Sequence, residues 1–66
     1  MNILNAIRHL VQQKVNRYNK AVDNVKSKQA SMYFYQLQGI QEAVKIMGFN
    51  VELEKDIDEL KFEITT

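Results

Sequence analysis

From Met1 to Met47 the chain contains one glycine, Gly39, and no proline. Proline would remove a backbone donor and clash with the preceding turn, and each interior glycine costs a helix about 1 kcal/mol relative to alanine. The stretch therefore carries almost no punctuation against helix, and its apolar residues recur at spacings of three and four, the helical period.

Leu4, Ile7, Val11, Val15, Tyr18, Val22 and Val25 follow one another at 3, 4, 4, 3, 4 and 3. At about 100° per residue they share one narrow stripe of a long amphipathic helix over residues 3–27. Asn2 or Asn5 can cap its start, and a helix reaching Ser27 would run about 35 Å. The polar Asn24-Val-Lys-Ser-Lys-Gln-Ala-Ser31 then suits a short helix-to-helix connection, with Ser27 or Ser31 available as the next cap. One unbroken helix through this region is the alternative, at a length unusual for a globular domain.

A second helix is expected over residues 28–47, with Ala30, Tyr33, Phe34, Leu37, Ile40, Val44 and Met47 along the face that pairs with helix one. Gly48 is placed to end it in a left-handed cap, with Phe49 folding back on the last turn. The opposite side of the same helix is also apolar. Met32, Tyr35, Gly39, Ala43 and Ile46 are spaced 3, 4, 4 and 3, leaving a wet strip of Ser31, Gln38, Glu42 and Lys45. A helix apolar over most of its circumference is generally buried, and monomers rarely expose contiguous apolar patches, so these five residues form the candidate protein interface. Gly39 and Ala43, four apart, would let another helix approach closely.

Two covers are conceivable. One is the acidic C-terminal segment, residues 50–66. There Leu53, Ile57, Leu60 and Ile64 fit a helix, whereas Leu60, Phe62 and Ile64 alternate with Lys61 and Glu63 as in a strand. A strand pair of Val51–Glu54 with Leu60–Ile64 would be marginal alone, which favours a short third helix over residues 53–61 with an extended tail. The other cover is a second copy. At 66 residues the chain forms a single domain with a marginal core, and without cysteine no disulfide can reinforce it. The expected fold is mainly α: an antiparallel helical hairpin with a short C-terminal helix or extended segment, assembling as a dimeric four-helix bundle.

The formal net charge of +1 conceals a gradient: +5 over residues 1–28, zero over 29–50 and −4 over 51–66. Attraction between the two ends, within one fold or between antiparallel copies, is preferred to an external polyanion. Arg8 and His9 interrupt the first apolar run too early for a signal-peptide core, and no run reaches the roughly 20 residues of a membrane span, which points to a cytoplasmic protein.

Chemistry is sparse. His9 has no carboxylate at helical spacing and reads as a surface or packing residue. Glu52, Glu54, Asp56, Asp58 and Glu59 lack the calcium-loop spacing and read as a solvated acidic face, and no phosphate loop or nucleophile elbow is present. No enzyme, metal or cofactor is expected. Nucleic-acid binding through Arg8, Lys14, Arg17, Lys20 and Lys26 is the alternative function. On the projected helix, however, Arg8 and Lys26 fall on one flank of the stripe, Lys14 and Arg17 on the other, and Lys20 near the back. Tyr33, Phe34 and Tyr35 point about 100° apart and cannot form one base-stacking platform.

The segment Tyr35-Gln-Leu-Gln-Gly-Ile-Gln-Glu-Ala-Val-Lys-Ile-Met-Gly-Phe-Asn-Val51 resembles the second helix of small uncharacterised proteins from phages and prophages of Gram-positive bacteria. The resemblance implies a phage or mobile-element origin and brings no catalytic residues. The sequence as a whole predicts a non-enzymatic module that associates with itself, as a dimer, or with a protein partner.

Overall fold

A helix starts where its first free amides find an acceptor, and Asn2 supplies one: its Oδ1 accepts the Leu4 N–H at 2.9 Å. From there α1 runs Ile3–Asp23 in the computed structural model, which describes residues 2–57 and 59–66. The stop comes earlier than the apolar stripe suggests. Val25 N–H donates to Val22 O and Lys26 N–H to Ala21 O, at 3.0 and 2.8 Å, which closes the last turn as a left-handed cap. Val25 takes the left-handed position, at φ 56°. The long-helix alternative is thereby excluded, and Val25 leaves the core stripe for solvent, 88% exposed.

α2 follows at once, Ser27–Ile46. Neither Ser27 nor Ser31 caps it; Lys26 holds the N-cap position without a side-chain bond. Its far end matches the sequence expectation. Gly48 has φ 91°, its N–H donates to Lys45 O, and Phe49 N–H reaches back to Val44 O, both at 3.0 Å.

The expected third helix over residues 53–61 is not formed. β1 (Asn50–Lys55) and β2 (Leu60–Thr65) make an antiparallel hairpin in which Val51 faces Ile64, Leu53 faces Phe62 and Lys55 faces Leu60. The reason is what each conformation buries. A helix would put Ile57 inside and turn Phe62 away from Leu53 and Ile64, whereas the strand register sets Val51, Leu53, Leu60, Phe62 and Ile64 on one face and leaves Ile57 at the turn. Such a hairpin is marginal alone, but here it lies on the helical pair and shares its core.

That core is a single cluster: Ile7, Val11, Val15, Tyr18 and Ala21 from α1, Ala30, Leu37 and Val44 from α2, and Val51 and Leu60 from the hairpin. Phe34 packs its ring against Tyr18 with centroids 5.9 Å apart. Two side-chain amides pin the strands. Asn19 accepts the Leu60 N–H on Oδ1 at 2.7 Å and donates Nδ2–H to Leu60 O at 3.1 Å, while Gln41 Nε2 donates to Val51 O at 2.7 Å. Thus β2 is fixed to α1 and β1 to α2, with the Leu60 backbone on one outer edge of the hairpin and the Val51 carbonyl on the other satisfied by helix side chains.

The outer hairpin face carries Glu52 opposite Glu63 and Glu54 opposite Lys61. Among the described residues the ion pairs also stay within the hairpin, from Lys61 Nζ to Asp56 at 3.4 Å and Glu59 at 3.9 Å, all exposed. No ion pair joins the basic helix to the acidic hairpin among the described residues. The hairpin turns its apolar side to the basic helix and its acids to water.

Candidate protein interface

The hairpin defines what remains uncovered. Gln41 marks the hairpin-facing direction of α2. At 100° per residue Met32 and Gly39 stand about 180° and 160° round the helix from it, and Tyr35, Ala43 and Ile46 between about 120° and 160°. All five side chains or positions are exposed: Met32 at 47%, Tyr35 at 71% and Ile46 at 90%, with Gly39 and Ala43 open to solvent beside them. The structure thus gathers the five sequence-derived interface residues on one bare stripe, and the C-terminal segment does not cover it.

Gly39 has no role in the isolated fold that requires glycine. A Cβ built there meets nothing within 4 Å, and its φ lies outside the left-handed region. A mid-helix glycine costs about 1 kcal/mol relative to alanine, and this one stands on an open face.

The bare surface continues onto α1. Asn19 marks its hairpin-facing side, and Leu10 and Ile3 stand about 180° and 160° round the helix from it, both substantially exposed. Met47 extends the patch at the end of α2 and is half exposed, so it does not join the core face expected for it. Taking roughly 200 Å² for a whole large apolar side chain, the exposed parts of Ile3, Leu10, Met32, Tyr35, Ile46 and Met47 come to about 700 Å². That is near the ~800 Å² each partner buries in a standard interface.

The cations weighed for nucleic acid are dispersed. Arg8, Lys14, Arg17 and Lys20 sit on α1, separated by about 60° to 120° in projection and so spread over more than half of its circumference. Lys26 is not on that helix at all but in the connection, and Lys28 belongs to α2. None of the five pairs with a described carboxylate. His9 is exposed on α1. Of the acidic run, Asp58 lies outside the described residues; among those that are described no three metal-ligating side chains converge. No helix among them is long and apolar enough to cross a membrane.

Two features escape sequence reasoning. The amide clamps of Asn19 and Gln41 look like ordinary polar positions, since both occur on flanks where a solvated residue is equally at home. The second is an open groove of about 630 Å³ at the connection end, floored by Tyr18, Val22, Ala30 and Phe34 and edged by Val25, Tyr35, Lys26 and Lys55. Lys55 Nζ stands 6.0 Å over the Tyr18 ring on its inner wall, at the limit of a cation–π contact.

No family model matches this chain, and no curated protein or solved structure matches it either.

Proposed function

We propose that this chain is a non-enzymatic interaction module that works by presenting the bare stripe of α2 to protein, and that its first partner is itself, in a homodimer with the four helices at the centre and the hairpins outside. The observation that carries this is the exposure of Met32, Tyr35 and Ile46 around a glycine the isolated fold has no use for. Contiguous apolar surface of this size on so small a chain is characteristic of an interface. The resemblance of residues 35–51 to small phage and prophage proteins would make it a cytoplasmic accessory factor of a phage or mobile element, acting on a protein partner.

Gly39→Leu separates the two roles of the face. In the isolated chain leucine is the better helix former by up to about 1 kcal/mol and its Cβ meets nothing within 4 Å on an exposed face, so the folded monomer gains stability. In the assembly the added side chain separates the helices. The expected result is a higher unfolding midpoint at dilution together with loss of association. An associating Gly39→Leu protein of undiminished mass would count against this face.

A second reading, a nucleic-acid-binding accessory protein, rests on Arg8, Lys14, Arg17, Lys20 and Lys26, none of which pairs with a described carboxylate. It requires retardation of DNA or RNA that weakens steeply with salt. Absence of retardation at low salt removes it.

A further inference from the structure

We infer that the occupant of the α2 stripe is a second copy running antiparallel to the first, with the molecular two-fold axis passing beside Gly39; this inference rests on the interaction reading above. The spacing of the stripe is a palindrome. Tyr35 and Ala43 lie four residues either side of Gly39, and Met32 and Ile46 lie seven either side. A two-fold axis at Gly39 brings each position level with its mirror position on the other copy. Tyr35 then comes level with the partner's Ala43, and Met32 with the partner's Ile46. The longest side chain on the stripe meets the shortest, and the two of intermediate size meet each other, while the missing side chains of the two glycines coincide where the helices are closest.

The parallel alternative fails on the same residues. It would set Tyr35 against Tyr35 and leave Ala43 facing Ala43, so one level is overfilled and another empty. It would also bring Lys28 and Glu42 each toward its own copy. The antiparallel arrangement separates these like charges along the axis and opposes the helix dipoles. Met32, Tyr35 and Ile46 of the stripe expose about 400 Å² on one chain, so the exposed Ile3 and Leu10 of α1 must enter the same interface for it to approach the ~800 Å² per partner of a standard dimer.

Because the chain has no cysteine, single cysteine substitutions report on this register directly. A disulfide needs Cα atoms within about 7 Å. In the antiparallel pair position 39 meets itself, whereas position 32 and its symmetry mate are fourteen residues, about 21 Å, apart. Under mild oxidation an equimolar mixture of Tyr35→Cys and Ala43→Cys should give covalent heterodimer, and Met32→Cys alone should give none. An equimolar mixture of Met32→Cys and Ile46→Cys should give heterodimer, on the order of tenfold more than Met32→Cys alone. Self-linking of Met32→Cys would establish a parallel pair and overturn the inference. If neither mixture links while the wild-type chain sediments as a dimer, the register is wrong and the interaction reading stands. A wild-type chain that sediments only as a monomer overturns both.

Discussion

Asn19 shows how much one uncharged side chain can decide. Its amide stands in for a neighbouring strand, giving an acceptor to the Leu60 N–H and a donor to the Leu60 carbonyl. Asn19→Ala leaves both backbone groups in a half-buried seam without partners, at about 1 kcal/mol or more each. The variant should lose about 2 kcal/mol in denaturant unfolding, and the Leu60 amide should exchange faster than its strand neighbours. Unchanged exchange at Leu60 would mean the clamp is not formed. Val25 is the opposite case, a residue the backbone tolerates at a cost. A β-branched side chain at φ 56° is strained by roughly 1–2 kcal/mol, and Asn adopts that conformation more readily. Val25→Asn should stabilise the fold by about 1 kcal/mol, a rise of several degrees in Tm for a chain of this size. A fall in Tm would show that the Val25 side chain gains more at the rim of the groove than its backbone loses.

At the scale of elements, the hairpin turn makes a prediction about acid. The Asp56 carboxyl accepts the Ile57 N–H at 2.8 Å and faces the Lys61 ammonium, and these hold its pKa below the ordinary aspartate value, the backbone bond contributing most. A depressed folded-state pKa means the stabilisation is present above the unfolded value and is lost as pH falls through the folded one. The turn's stabilisation should therefore be complete above the ordinary aspartate pKa and fade as the pH falls from there through the lower folded value. A carboxyl-detected NMR titration of Asp56 should show a midpoint below that of the same residue in a peptide of residues 54–60, and equal midpoints would contradict the turn geometry.

The two helices were legible because Ile7, Val11, Val15, Leu37 and Val44 repeat at the helical period, and Gly48 punctuates the end. The hairpin was not legible to the same degree. Its residues satisfy two periods at once, and the arbiter is tertiary: a strand pair unstable by itself becomes favourable on a helical layer that supplies Asn19, Gln41 and the other half of the core. The Val25 cap was hidden for a related reason, since a valine there gives no sign of left-handed backbone. The exposed apolar stripe was fully visible, because its signal is a second helical period on a helix already assigned by the first.

For the whole molecule, the arrangement is a helical layer with an acidic hairpin on one side and an apolar, partly basic surface on the other. The hairpin supplies enough core to define one fold, yet it leaves Met32, Tyr35 and Ile46 in water, where they contribute nothing to a lone chain. The central claim is that this second side is closed by another chain. Sedimentation equilibrium of the wild-type protein across the micromolar range tests it most directly. A mass rising with concentration toward twice 7.7 kDa, with Gly39→Leu held at the single-chain mass, is the predicted result. A well-folded wild-type species of 7.7 kDa at every concentration would contradict it.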